Sequence, residues 1–149
     1  MFDIESKNQD KIIINTKKNS ICFDVSEGSI DANLGVGKIS GPGEYEIGDV
    51  SVRGIAVKDD KTIYDAEIGG VHVGILGDIE DGLDEIGVAN ILCTSSVRAV
   101  REIEPKIVVA MGNVDGMVSE LKLTARTDKK LKVKNLDSLP SALEVVVLS

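Results

Sequence analysis

The 149-residue sequence contains one histidine, two cysteines, three prolines and no tryptophan. A catalytic zinc ion needs three protein ligands, drawn from imidazole, thiolate and carboxylate groups, and an open position for water. The single imidazole belongs to His72, and no cysteine lies within motif spacing of it. The sequence therefore lacks the ligands of an ordinary hydrolytic zinc centre, and we interpret His72 as a packed or edge side chain of a strand.

Long apolar runs are also absent. No stretch approaches the roughly 18 residues that a membrane-spanning helix needs, and residues 1–5 lack a basic start followed by an apolar run. These absences predict a soluble protein that stays in the cytoplasm. Cys22 and Cys93 each lie inside an apolar strand-like run, which is typical of buried free thiols and indicates neither a disulfide nor a redox role.

Positive charge is scarcer than negative charge, since 17 Lys and Arg oppose 25 Asp and Glu, for a net charge of -8. The average field of such a molecule repels phosphate backbones and anionic lipid surfaces. Nucleic acids and membranes are therefore not expected partners. The one basic cluster, residues 129–134, alternates lysines with Leu131 and Val133, as the solvated face of a strand would.

The order of the apolar runs predicts the fold class. Before Gly69 the runs are short, rich in β-branched residues and separated by turn signals, whereas later runs alternate with segments of helical spacing. The predicted strands are residues 2–5, 11–15, 20–25, 45–47, 50–56, 62–68, 71–76, 89–93, 107–111 and 144–148. The predicted helices are residues 80–87, 95–104 and 114–123. We expect one α/β domain over residues 1–149, with two packed mixed β-sheets and helices on the outer faces.

Several segments fit the pattern of a known family. Residues 41–47 read Gly-Pro-Gly-Glu-Tyr-Glu-Ile, residues 52–55 read Val-Arg-Gly-Ile, and the apolar run from residue 71 ends in Gly-Asp. The residues that carry this motif are Gly41, Pro42, Gly43, Glu44, Tyr45, Gly54 and Gly77. Together they resemble small bacterial metallo-β-lactamase-fold hydrolases of the L-ascorbate-6-phosphate lactonase-like group.

This resemblance implies a metallo-β-lactamase-like αββα sandwich, in reduced form, with a metal site at one edge of the sheets. The family carries a His-x-His-x-Asp-His motif before the Gly-Pro-Gly-Glu-Tyr segment, whereas residues 25–40 of this chain contain no histidine and look deleted or rewritten. Met111 and Gly112 stand where the family has a further histidine, and Asp78 matches the acid that bridges two metals. We expect a vestigial site at these three residues, with no catalytic residue, metal ligand set, zinc or other cofactor.

Four other segments have simple structural interpretations. The acidic run at residues 78–85 fits a solvated helix start better than a calcium loop. Residues 35–38 fail as a phosphate loop because Ile39 follows the lysine, and the glycines of residues 69–74 precede a strand, as a turn would. Residues 94–96, Thr-Ser-Ser, stand before a predicted helix and favour a capping role over a nucleophile.

The sequence favours a non-catalytic member of this fold, a pseudoenzyme, that serves as a protein-binding or self-assembly module. Its expected partners are further copies of the same chain in a homo-oligomer, or another protein. One alternative is a residual metal-dependent hydrolase centred on Asp78, and another is a small-molecule sensor that uses the vestigial cleft near Asp78 and Gly112.

Overall fold

A six-stranded sheet is built from strands in which apolar and polar side chains alternate. The computed structural model describes residues 1–33 and 37–149. The strands of this sheet are β1 (Phe2–Asn8), β2 (Lys11–Asn15), β3 (Ser20–Asp24), β4 (Ser29–Ala32), β5 (Gly37–Ser40) and β13 (Leu131–Val133). Their order is β13-β1-β2-β3-β4-β5, and all neighbours are antiparallel. The sheet is antiparallel rather than mixed. Short turns join β1 to β2, β2 to β3 and β3 to β4, whereas parallel pairs need long crossovers.

An eight-stranded sheet combines an antiparallel half with a parallel half. Its strands are β6 (Gly43–Ile47), β7 (Val50–Val57), β8 (Lys61–Ile68), β9 (Val71–Gly77), β10 (Ile91–Thr94), β11 (Ile107–Ala110), β12 (Ala125–Asp128) and β14 (Glu144–Leu148). Their order is β12-β14-β11-β10-β9-β8-β7-β6. Strands β6 to β9 are antiparallel neighbours, and the pairs from β9 to β12 are parallel. This sheet is mixed, as predicted.

Three short helices lie in the connections of the eight-stranded sheet: α1 (Leu83–Ile86), α2 (Val97–Ile103) and α3 (Val114–Leu121). They occur where parallel strands require crossovers. In residues 1–33 and 37–149, no helix connects two strands of the six-stranded sheet. The predicted helices are thus present but belong to one sheet, which accounts for the reduced form of the sandwich. None of the described helices has the length and apolar character needed to cross a bilayer.

The two sheets pack face to face through one continuous apolar layer. Ile4, Ile14 and Ile21 stand directly opposite one another on β1, β2 and β3, and each is fully buried. Across the interface, the Phe23 ring of β3 meets the Tyr64 ring of β8 with centroids 5.6 Å apart. Burial of each such side chain contributes roughly 1.5–3 kcal/mol, so this layer is the main source of stability.

Both cysteines are buried and free, as predicted. Cys22 lies on β3 of the six-stranded sheet and Cys93 on β10 of the eight-stranded sheet. Burial raises the pKa of each thiol above its ordinary value, so both remain protonated at neutral pH.

The Gly-Pro-Gly segment packs closely over β7. Gly43 pairs with Gly54, and a Cβ atom on Gly54 would lie 3.2 Å from the Gly41 carbonyl oxygen and 3.3 Å from the Pro42 Cα. The Tyr45 hydroxyl donates a hydrogen bond to the Pro42 carbonyl at 2.9 Å. The motif residues recognised in the sequence therefore form a tight entry into the eight-stranded sheet, and Gly54 is required by the close backbone approach.

All ten predicted strands and all three predicted helices have counterparts in the structure. Within residues 25–40, the strands β4 and β5 extend the six-stranded sheet. Of the rejected phosphate-loop candidate, Gly35 and Val36 lie outside the described residues, and Gly37 and Lys38 belong to β5. The alternation in residues 129–134 is confirmed, because Leu131 and Val133 of β13 are buried.

Replacement of Gly54 by alanine should lower the free energy of unfolding by about 1–3 kcal/mol, because the new methyl group must displace backbone atoms. Gly37→Ala is the matched control, since a Cβ atom there meets nothing within 4 Å. Urea titration measures both variants, and equal stabilities of the two would contradict the close approach at Gly54.

Tyr64→Phe should leave the free energy of unfolding unchanged or raise it by about 1 kcal/mol. The Tyr64 hydroxyl is fully buried and has no hydrogen-bond partner among the described residues, and its burial raises the pKa of Tyr64 to about 12. Tyr45→Phe is the control, because it removes a made hydrogen bond and should lower the free energy by about 0.5–1.5 kcal/mol. Equal losses in both variants by thermal and urea denaturation would reject the prediction.

Candidate functional site

The carboxyl ends of the parallel strands β9, β10 and β11 lie side by side and form one edge of the eight-stranded sheet. The Thr94 hydroxyl donates to the Gly77 carbonyl at 2.9 Å, and the Met111 backbone N–H donates to the Thr94 carbonyl at 3.0 Å. These bonds align the three strand ends, with Asp78 directly after β9 and Met111 and Gly112 directly after β11. The carboxyl ends of parallel strands are where open α/β sheets commonly build their sites. The structure thus brings the three predicted residues of the vestigial site to one edge.

Turns of the six-stranded sheet form the opposite wall of this edge. Gly77 has a positive φ of 59°, and a Cβ atom there would lie 3.2 Å from the Val25 Cγ2 atom. A Cβ atom on Gly112 would lie 3.9 Å from the Gln9 Oε1 atom. A groove of about 220 Å³ remains beside the strand ends, lined by Asp10, Val25, Ser26, Lys61, Gly77, Asp78 and Ile79. We call this space the edge groove.

The side chains of the edge groove do not fit a catalytic zinc ion. Asp78 is exposed, Asp10 is the other carboxylate of the lining, and Lys61 adds a positive charge that would repel a cation. Met111 is buried, and Gly112 has no side chain to offer. Zinc needs three ligands from His, Cys, Asp or Glu, and across residues 1–33 and 37–149 no group of three such residues is placed to hold a metal.

The single histidine lies far from this edge. His72 stands near the start of β9 and Asp78 follows its end, a separation of roughly 20 Å at about 3.3 Å per residue. Val71 and Val73 point into the buried layer between the sheets, so the His72 side chain points to the opposite face. As predicted, His72 is a packed side chain, and it contributes nothing to the edge groove.

His72 instead belongs to a polar cluster on the outer face of β7, β8 and β9. Its Nδ1 atom lies 3.3 Å from an Asp65 carboxylate oxygen, and its Nε2 atom lies 3.3 Å from a Glu67 carboxylate oxygen. The Arg53 guanidinium lies 3.4 Å from Asp65 and donates to the Glu85 carbonyl at 2.8 Å. Desolvation raises the pKa of the Asp65 carboxyl, although His72 and Arg53 oppose the shift. The cluster is an internally paired network on a sheet face.

This cluster was not predicted from the sequence, although the sequence pattern of β8 indicates part of it. Asp65 and Glu67 alternate with the inward-facing Tyr64 and Ala66, which places the two acids on one face of β8. Their pairing with Arg53 and His72 depends on the register of three strands, where Arg53 stands opposite Asp65 and Glu67 opposite His72. No local sequence pattern predicts which residues of these three strands stand opposite one another.

The hydroxyls after β10 serve the local structure, as predicted. Ser96 is the N-cap of α2 and accepts a hydrogen bond from the Ala99 backbone N–H at 3.1 Å. The Ser96 hydroxyl also donates to the Glu80 carboxylate. Thr94 and Ser95 donate to the Gly77 carbonyl. In the described part of the chain no imidazole stands beside these hydroxyls, so they do not form a catalytic dyad.

The acidic run opens a helix, as the sequence indicated, but the helix is shorter than predicted. Gly82 has a positive φ of 77° and precedes the first residue of α1, so the helix begins at Leu83. Asp84 and Glu85 then occupy the first turn, where the helix dipole favours negative charge. The side chain of Asp81 lies 3.8 Å from the Lys58 ammonium group.

Comparison with known proteins identifies the fold. No protein-family model and no curated protein matches the chain. Among solved structures, the chain is similar to the crystal structure of a proposed zinc-dependent hydrolase of the metallo-β-lactamase superfamily from Thermotoga maritima. The TM-score is 0.75 at 16% sequence identity, and the likeness covers 99% of each chain. The protein therefore has a metallo-β-lactamase fold, as the resemblance in its motifs predicted.

Two buried carboxylates should show opposite pH dependence. Burial tends to raise the pKa of Asp24, but hydrogen bonds from Ser26 and the Glu27 backbone N–H, together with Lys11, outweigh it, and the pKa lies below its ordinary value. The pKa of Asp65 is raised. Asp24 therefore contributes stability above about pH 4 that is lost as the pH falls, whereas Asp65 loses stability as the pH rises from about 4 through its folded pKa.

Urea denaturation of Asp24→Asn and Asp65→Asn between about pH 3 and pH 7 tests this contrast. At neutral pH, Asp24→Asn should be less stable than the natural chain by about 1–3 kcal/mol, with the difference shrinking in acid. The difference between Asp65→Asn and the natural chain should shift in favour of the variant as the pH rises. If the difference in free energy of unfolding between variant and natural chain changed with pH in the same direction for both variants, the predicted contrast would be refuted.

Proposed function

We propose that this chain is a non-catalytic protein of the metallo-β-lactamase fold that serves as a protein-binding or self-assembly module. The observation that carries the proposal is the composition of the edge groove. Asp10 and Asp78 are its two carboxylates, Lys61 opposes a bound cation, and the single histidine of the chain lies on another face. A hydrolytic zinc centre needs more ligands than this edge supplies.

The folded scaffold is otherwise well formed, which supports retention for a purpose other than hydrolysis. The strand ends at the edge are joined by hydrogen bonds from Thr94, Ser95 and Met111, and the apolar layer between the sheets is continuous. A stable scaffold with unpaired sheet edges offers extended surfaces for contacts with other chains.

The two alternatives receive less support. A hydrolase centred on Asp78 would have to work with an exposed carboxylate, and among the described residues that line the groove Asp10 is the other carboxylate. A small-molecule sensor that binds its ligand near Asp78 would use the edge groove, whose volume of about 220 Å³ is below the 300–1,000 Å³ typical of ligand pockets.

Elemental analysis of the purified natural chain, with Asp78→Asn as the matched variant, tests the proposal. We expect no stoichiometric zinc, manganese or iron in either protein, because the ligands of a catalytic centre are missing. Stoichiometric metal in the natural chain that is lost from Asp78→Asn would overturn the proposal in favour of the hydrolase. Metal retained equally by both proteins would also contradict it, by placing a metal site elsewhere.

A further inference from the structure

Charge is strongly segregated along this chain. Residues 44–88 contain twelve Asp and Glu and three Lys and Arg, whereas residues 122–134 contain six Lys and Arg and one Asp. The net charge of -8 thus conceals a basic segment within an acidic molecule. A segregated charge distribution guides association more strongly than net charge alone.

The strand order places the acidic and the basic residues at opposite edges of the eight-stranded sheet. The acidic residues 44–88 include β6 to β9, which end at the β6 edge, and the basic residues 122–134 include β12, the other edge strand. Seven spacings of about 4.8 Å separate the two edges, roughly 34 Å in all. The eight-stranded sheet is therefore acidic at its β6 edge, and lysines flank β12 at its other edge, with Lys122 before this strand and Lys129 directly after it.

The acidic end presents an open face. Glu44 and Glu46 of β6 are exposed and form no ion pair with any described residue. They line a groove of about 510 Å³ over the outer face of β6 to β9, which we call the acidic groove. Val88 lies at its rim and is 70% exposed, one of four large apolar side chains that are exposed among the described residues. The acidic groove therefore combines free negative charge with an apolar contact point.

The basic end carries the complementary features. Arg126 pairs with Asp128 and Glu144, and Lys130 lies 4.0 Å from Glu5. The other basic side chains are in no ion pair with a described residue; they are Lys122, Lys129, Lys132 and Lys134. Leu123, beside them, is another of the exposed apolar side chains. We call residues 122–134 the basic segment.

We propose that copies of this chain associate head to tail, with the basic segment of one copy docked on the acidic groove of the next. This inference rests on the assembly role proposed above and specifies its surfaces. Opposite free charges attract across the interface, and the exposed Val88 and Leu123 lose contact with water in it. Because the two surfaces differ, the interface is heterologous and generates a ring or an open chain of subunits.

The same charges disfavour a symmetric dimer through the β6 edge. Two β6 strands would bring Glu44 and Glu46 against their own copies. Like charges at an edge are a common device against pairing of identical edges. Pairing of unlike edges escapes this repulsion.

Charge reversal tests the contact. One variant carries Glu44→Lys with Glu46→Lys, and the second carries Lys122→Glu with Lys129→Glu; all four side chains are exposed. A control variant carries Lys17→Glu with Lys18→Glu, which makes the same charge change as the second variant, on exposed residues outside both surfaces. Sedimentation velocity at tens of micromolar measures association, and thermal denaturation verifies folding.

We expect the natural chain and the control to associate, and each reversal variant alone to associate about tenfold or more weakly. An equimolar mixture of the two reversal variants should recover association, since each surface then has an opposite partner. Association should also weaken as ionic strength rises from about 10 mM to about 1 M, because the Debye length falls from roughly 30 Å to roughly 3 Å.

A natural chain that stays monomeric would overturn this inference. The non-catalytic role proposed above is tested separately, by the elemental analysis of bound metal. Association that survives both reversals, or a mixture that fails to recover it, would reject this interface while leaving the assembly role intact. Association that strengthens with salt would also reject it, because screening of the net negative charge would then outweigh attraction between the two surfaces.

Discussion

The contact between the inner faces of the two sheets is the constraint on which the other features depend. Successive side chains of each strand point to opposite faces, so in the antiparallel strands the outward positions are free to be polar. The Phe23–Tyr64 contact joins the sheets at one point of this layer. With the layer fixed, the outer face of β7 to β9 receives Arg53, Asp65 and His72, and the strand ends of β9 to β11 meet at the edge groove.

The predictable part of the fold follows from local sequence patterns. The strands of the core could be located because their apolar residues recur with period two, or form short apolar runs in the parallel half, where both faces are covered. Strands β4, β5 and β12 were not predicted, because they are four residues long and carry few apolar side chains. Strands of this kind form through pairing with a neighbour, and that neighbour is chosen by the tertiary structure.

The location of the predicted site residues in the fold could be derived from the sequence better than the side chains that surround them. Asp78 lies just after the strand predicted over residues 71–76, and Met111 and Gly112 lie at the end of the strand predicted over residues 107–111. Parallel strands bring such positions to one edge. The approach of Val25 to Gly77 and of Gln9 to Gly112 could not be derived, since it depends on how the turns of one sheet meet the ends of the other. The pairing of Glu80 with Ser96 has the same origin, because it joins two connections that are separate in sequence.

The placement of the two cysteines gives the molecule one thiol in each sheet. Cys93 is fully buried at the centre of the eight-stranded sheet, and Cys22 is 7% exposed within the six-stranded sheet. Alkylating reagents react with thiolates that solvent can reach, so Cys93 stays unmodified until the eight-stranded sheet opens, whereas Cys22 is partly within reach of solvent in the folded chain. The modification rate of Cys93 therefore reports on the opening of the eight-stranded sheet, with Cys22 as an internal reference.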